Sequence, residues 1–165
     1  MKPRNILSAL LLACAVQAGA AEPAAEAAAD TLHVYLIGDS TCATKKLDKQ
    51  NPERGWGHMF PPLFAEEVVV ENHATNGRST KSFRDEGRWT RVFDKLQPGD
   101  YVFIQFGHND QKIKDSARYS SPVQYAENLR SYVRETRGKG ATPVLLTPIV
   151  RRCFVDGVLT DTHTD

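Results

Sequence analysis

Leu32 to Thr41 reads LHVYLIGDST, and Tyr101 to Asp110 reads YVFIQFGHND. Each opens as a short run of β-branched, aromatic and other apolar side chains and ends on a glycine followed by polar residues. Runs that are apolar almost throughout suit strands of a parallel sheet covered on both faces. The first strand is predicted over Leu32 to Ile37, and the third over Tyr101 to Phe106 after a Pro98-Gly99-Asp100 turn. Glu67 to Glu71 (EVVVE) lies between them as a second strand, and Pro143 to Thr147 (PVLLT) follows as a fourth. Helical patterns separate the runs. Ser121 as N-cap, Pro122 at the first helical position and Gln124 completing a capping box predict a helix from Pro122 to about Arg137, stopped by Gly138. Its expected core-facing stripe is Val123, Ala126, Leu129 or Arg130, and Val133. A second helix is predicted over Asp85 to Leu96. Strands alternating with helices make an α/β sandwich.

Composition fits a single domain. Of 165 residues 41% are hydrophobic and 25% charged, while 11 Gly and 9 Pro are too few for a fibrous or low-complexity chain. With 21 Lys+Arg against 20 Asp+Glu, the formal charge of +1 provides no general basic field, so no nucleic-acid partner is expected.

The first thirty residues stand apart from the fold. Lys2 and Arg4, the apolar stretch Ile6 to Val16 and the small-residue site Ala18-Gly19-Ala20 predict an export signal over residues 1–21, hence a periplasmic or extracellular protein. The apolar run is shorter than the roughly 20 residues that span a bilayer, so no membrane span is expected. Leu11-Leu12-Ala13-Cys14 also resembles a lipobox, in which Cys14 would carry a lipid anchor. Residues 22–30 form an Ala/Glu linker, leaving residues 31–165 as the domain. Export permits disulfides, but Cys42 and Cys153 follow strands placed two spacings apart. Their Cα atoms would be roughly 10 Å from each other, beyond the roughly 7 Å a bridge tolerates. No cysteine or histidine spacing suits a metal.

Ligands of parallel sheets bind at the carboxyl ends of the strands. Three of those ends carry Gly38-Asp39-Ser40-Thr41, then Asn72 to Ser79 (NHATNGRS), then Gly107-His108-Asn109-Asp110. Each alone reads as an ordinary turn or capped loop; together at one sheet edge they suit acyl transfer. Ser40 can act as nucleophile, and the oxyanion of a tetrahedral intermediate can be held by the Ser40 N–H, the Gly77 N–H and the Asn109 side-chain amide. Asp39 and Asp110 read as structural carboxylates that hold these corners.

The order Gly-Asp-Ser, Gly, Asn resembles the SGNH (GDSL) hydrolases. GDST, NHATNGRSTKSF with EGRW after it, Gly55-Trp56-Gly57 and YVFIQFGHND are similar to the blocks of the rhamnogalacturonan acetylesterase group. The resemblance implies a flavodoxin-like three-layer sandwich, with four of the five expected strands present. It also implies Ser40 as nucleophile, Ser40, Gly77 and Asn109 as oxyanion donors, an acetylated pectic polysaccharide as substrate, and no metal or organic cofactor.

Family members end with an Asp-x-x-His block that supplies the general base, and this chain reaches Asp165 without one. Asp30-Thr31-Leu32-His33 has the spacing but precedes the first strand, and Asp161-Thr162-His163 lacks the spacing. His58, His73 and His108 read as packing or loop residues, with His108 the most plausible base among them. The expectation is thus a C-terminally truncated esterase with little turnover of its own. Arg84, Arg88, Arg91 and Lys95 recur at helical spacing and would line one solvated face. The sharper reading is that Arg84 and Arg88, with Arg78 and Lys81, attract galacturonate carboxylates. Lys45, Lys46, Lys49 and Arg54 add a basic loop. The alternatives are an esterase acting on acetylated xylan or lipid, and a non-catalytic carbohydrate-binding remnant.

Overall fold

The computed structural model describes residues 31–163, so the predicted export signal, the linker and Cys14 lie outside the described residues. Strands β1 (Leu32–Gly38), β2 (Val68–Asn72), β3 (Tyr101–Gln105) and β4 (Thr142–Leu145) pair in parallel in the order β2-β1-β3-β4. Flavodoxin-like sheets begin with the same order. All four predicted strands are present, their ends shifted by no more than two residues.

Side-chain alternation along β1 divides the core in two. Tyr35 and Ile37, with Val102 and Ile104 of β3, meet Phe83, Trp89, Val92, Leu96 and Tyr132 on one face. Val34 and Leu36 meet Trp56, Phe60, Phe64 and Phe103 on the other. On the first face lie α2 (Thr80–Asp85), α3 (Arg88–Phe93) and α4 (Pro122–Gly138); on the second lies α1 (Trp56–Met59) with the turn after it. Each of the larger side chains contributes roughly 1.5–3 kcal/mol by leaving water. Coverage on both faces holds for β1 and the inner part of β3. The outer strands depart from the expectation, because each has only one neighbouring strand: Val69 is 39% and Leu145 52% exposed. A short antiparallel hairpin, β5 (Phe154–Val155) with β6 (Val158–Leu159), stands apart from this sheet.

Helix α4 keeps its predicted cap, with Gln124 N–H donating to Ser121 Oγ and Ser121 N–H donating to Gln124 Oε1. Its inward face is different from the expected stripe. Tyr125, Leu129 and Tyr132 join the core and Thr136 is buried, whereas Val123 is 78% exposed. The rotation follows Tyr132, whose ring packs between Trp89 and Phe106 and whose hydroxyl donates to Thr80 O. Ala126 and Val133 instead border an open apolar groove that Leu129 and Leu145 also line.

The helix predicted over Asp85 to Leu96 is two helices. Gly87, in the left-handed region at φ 67°, breaks the run, and α2 begins earlier than expected, at a Ser79 cap boxed with Ser82. The basic stripe therefore does not share one face. Arg84 Nη1 lies 3.0 Å from Glu135 Oε2, its guanidinium sits 4.4 Å over the Tyr132 ring, and the Trp89 indole N–H donates to the same Glu135 carboxylate. Arg88 Nε lies 2.6 Å from Glu86 Oε2, and Lys95 Nζ 2.6 Å from Glu71 Oε2. Cys42 and Cys153 are free thiols. Burial, helped by the Asp39 charge, pushes the Cys42 thiol up to about 12, so it stays protonated. Among the described residues no helix is long and apolar enough to cross a membrane.

Asp110 ties α2 to the segment after β3. Its carboxylate, 3% exposed, accepts from the Thr80 N–H at 3.0 Å and from the Thr80 hydroxyl. Asn128 Nδ2 donates to Thr80 Oγ1 from α4. Burial raises the Asp110 carboxyl from 3.8 to about 6, against hydrogen bonds from Thr80 and Ser120 that pull it down. The folded chain thus holds this proton more tightly than the unfolded chain does. Its contribution to stability is complete below about pH 4 and is lost as pH rises through about 6, a change on the order of 2–3 kcal/mol. Urea midpoints measured across that window should show the loss in the native sequence and a flatter profile in Asp110→Asn; parallel profiles would exclude the coupling. Arg84→Ala should cost about 1–2 kcal/mol of unfolding free energy by the same method, because it removes both the Glu135 pair and the Tyr132 stack.

Candidate active site

The carboxyl ends of β1, β2 and β3 bring the three expected polar segments together. After β1, Asp39 is 1% exposed, and its backbone carbonyl accepts from Cys42 N–H at 3.3 Å and Ala43 N–H at 3.0 Å, closing a tight turn. Its carboxylate Oδ1 accepts from Thr41 N–H at 2.8 Å. Asp39 thus holds the corner from inside, as expected, and leaves Ser40 partly exposed on the outside of it.

The segment after β2 runs on beside β1, with His73 N–H donating to Leu36 O and Thr75 N–H to Gly38 O. It then turns at Asn76-Gly77, where Arg78 N–H returns to Thr75 O. Gly77 has φ 77°, a conformation that costs a residue with a side chain roughly 1–2 kcal/mol. Lys45 Nζ donates to Asn76 Oδ1 at 2.9 Å and links this turn to the loop after β1. After β3, Asn109 is 4% exposed, and its Nδ2 donates to Arg78 O at 3.0 Å. That amide carries two hydrogens; one fixes it to the residue after Gly77, and the other has no acceptor among the described residues.

Beneath the turn, Gln105 of β3 joins the loops. Its Oε1 accepts from the Trp56 indole N–H at 2.6 Å and lies 2.9 Å from Thr41 Oγ1, while its Nε2 donates to Thr147 O. Gly57 packs so closely that a Cβ there would stand 2.6 Å from Cys42 Sγ and 2.7 Å from Cys42 O. Gly55-Trp56-Gly57 is therefore the prop behind the Ser40 corner. Sequence reading noted this tripeptide only as a family flank and missed Gln105; its one signal was a polar residue in an apolar strand.

The histidines divide as follows. His33 is at the start of β1, where its backbone N–H donates to Asp100 Oδ1, and His73 Nε2 faces Glu71 Oε2 at 3.1 Å. Burial lowers the His73 pKa, against the raising effect of Glu71. His108 Nε2 donates to Ile149 O at 2.8 Å, and its Nδ1 lies 3.8 Å from Asp39 Oδ2. His163 stacks on His108 at 4.8 Å and faces Asp161 Oδ1 at 3.3 Å, so the structure brings Asp161-Thr162-His163 to the site although its spacing gave no sign of this. A cavity of about 500 Å³ opens beside this pair, lined by Tyr119, Tyr125, Ile113 and Pro148.

Of the expected substrate cations, Arg78 is held by Glu86, with Nε at 3.0 Å and Nη2 at 3.0 Å from Oε2, and also donates to Asn76 O. Arg88 shares Glu86 and donates to Thr75 Oγ1. Arg84 lies against α4. A residue absent from the sequence reading is present instead: the Arg118 guanidinium carbon lies 3.7 Å from where a Gly77 Cβ would be. Nothing in the surface-like stretch Lys112 to Ser121 announced it. Among the described residues no cluster of His, Cys, Asp or Glu is arranged to hold a metal ion.

Similarity to known proteins agrees with this arrangement. Probable rhamnogalacturonan acetylesterase YesY of Bacillus subtilis (strain 168) is 39% identical over 134 residues, covering 81% of this chain and 61% of its own. Rhamnogalacturonan acetylesterase RhgT of the same organism is 43% identical over 123 residues, 74% of this chain and 51% of its own. The chain therefore spans about half to three fifths of the length of these relatives. The crystal structure of Bacillus subtilis YxiM matches with a TM-score of 0.68 at 30% identity, over 74% of this chain and 34% of that one. Residues 36–163 match the GDSL-like Lipase/Acylhydrolase family across both sides of the Ser40, Gly77 and Asn109 cluster, and the chain belongs to that family.

Proposed function

We propose that this chain carries the nucleophile and the oxyanion donors of a serine acetylesterase that removes O-acetyl groups from rhamnogalacturonan. The observation that carries the reading is the clamp of the Asn109 amide on Arg78 O, which sets a buried side-chain N–H beside the left-handed Gly77 at the strand end next to Ser40. Relatives named rhamnogalacturonan acetylesterase at 39% and 43% identity support the choice of substrate.

In this reading Ser40 Oγ attacks the acetyl carbonyl carbon. The oxygen that becomes negative is met by the N–H groups of Ser40 and Gly77 and by the second Asn109 N–H, donors already fixed before charge develops. Collapse releases the sugar hydroxyl and leaves acetyl-Ser40; water attacks that ester, acetate leaves and the serine is restored. A base must take the Ser40 proton. Among the described residues no imidazole hydrogen-bonds Ser40: His73 faces Glu71, His108 donates to Ile149 O and His163 faces Asp161. In this reading the base is an Asp-x-x-His pair, which residues 31–163 do not contain. The basic, apolar and small-residue pattern of residues 1–21 supports an exported enzyme.

Acetate release from acetylated rhamnogalacturonan, compared with acetylated xylan and a triglyceride, tests the substrate class; a preference for either of the latter two excludes the pectic reading. In the full-length enzyme Ser40→Ala should lower kcat on the pectic substrate by about 10³-fold or more without changing the fold, and full activity in that variant removes Ser40 as nucleophile. Asn109→Ala should lower kcat by about 10²–10³-fold with KM little altered. An effect on KM alone would make Asn109 a substrate holder and not an oxyanion donor.

A further inference from the structure

The cations around Gly77 are not equivalent. Lys45 is bound to Asn76, Arg78 and Arg88 share Glu86, and Lys81 pairs with Asp85 at 2.6 Å. Arg118 has one carboxylate partner, Asp115, which approaches Nε at 3.3 Å and leaves the two terminal nitrogens unengaged among the described residues. Those nitrogens are the atoms that face Gly77, at 3.7 Å and 3.9 Å from the position of a Cβ. The side chain is 39% exposed, so it is open to a ligand from solvent beside Gly77. Arg118 is held at its base by the turn in which its N–H donates to Asp115 O.

We infer that Arg118 is the specificity-determining residue of this site and holds the carboxylate of a uronic acid unit adjacent to the acetylated sugar; this rests on the pectic reading above. The two terminal nitrogens of a guanidinium form a planar fork that matches the two oxygens of a carboxylate, which a lysine ammonium does not. Asp115 lies 3.3 Å from Nε and leaves the terminal fork facing Gly77, so part of its orientation is set before a ligand binds. Its place over Gly77 puts the anion next to the reacting ester and outside the oxyanion donors themselves. In this inference Arg118 takes the charge-reading role expected of Arg78, Arg84 and Arg88.

The test needs no turnover. Titration calorimetry compares the full chain with deacetylated rhamnogalacturonan oligosaccharides carrying free carboxylates and with the same oligosaccharides methyl-esterified, which are neutral. The native chain should prefer the acid form by about tenfold, and the preference should shrink as salt screens the charge. Arg118→Gln should abolish the preference while leaving affinity for the ester form and the melting temperature unchanged; Arg118→Lys should restore part of it. Equal affinity of the native chain for acid and ester, or a preference that survives in Arg118→Gln, overturns the inference and leaves the pectic reading standing. Failure of the native chain to bind either form overturns the pectic reading, and this inference with it.

Discussion

A buried carboxylate holds the strand ends together. Asp110 is enclosed between the segment after β3 and the first turn of α2, where it accepts from both the N–H and the hydroxyl of Thr80. Thr80 in turn receives Asn128 at its hydroxyl oxygen and Tyr132 at its carbonyl, so one residue links α2, α4 and the loop after β3. An acid in such surroundings is expensive to ionise, and the structure tolerates it because the donors around it are otherwise orphaned: Thr80 begins a helix and its N–H has no acceptor within that helix. The positions that follow are consequences. Asn109 precedes Asp110 in the chain, and Gly77 lies three residues before Thr80; fixing the pair Asp110 and Thr80 brings the Asn109 amide to Arg78 O.

The opposite face has its own organiser in Gln105. Both ends of its amide are used: the oxygen accepts from Trp56 Nε1, and the nitrogen donates to Thr147 O. Because Thr41 Oγ1 lies within hydrogen-bond reach of the same oxygen, the Ser40 corner is braced from the sheet and from α1 together. Asp39 Oδ1 accepts from the Thr41 N–H as well. Ser40 is therefore presented by a braced corner and is itself partly exposed.

The sheet and the three strand-end segments were legible because each depends on local signals: apolar runs of strand length, glycines at turns, and polar residues directly after them. The capping box of α4 was legible for the same reason. What escaped depends on partners distant in sequence. Arg84 and Lys95 have helical spacing, yet Glu135 and Glu71 decide where they point, and no periodicity shows a carboxylate on another element. Glu86-Gly87-Arg88 looked like helix interior, since one glycine is tolerated there; the left-handed φ of Gly87 is visible only once α2 and α3 are each packed on the sheet. Val123 was assigned inward by its spacing, whereas the large ring of Tyr132 set the rotation of α4. Arg118 lies in a polar stretch with no pattern, and only its approach to Gly77 distinguishes it.

The parallel pairing of β1 with both β2 and β3 has a kinetic consequence. Each contact that builds the site closes a long loop: Asn109 with Arg78 spans 31 residues, Asp110 with Thr80 spans 30, and Thr41 with Gln105 spans 64. Loops of this size lose chain entropy before any contact compensates for it, so high contact order makes folding slow. None of Ser40, Gly77 and Asn109 can be positioned by a local element folding alone, since each follows a different strand. The cluster is thus among the last features to form, and partly folded chains do not possess it. Formation of the Asn109 to Arg78 contact on refolding would report completion of the sheet, where helical circular dichroism would report the helices, α4 the longest of them.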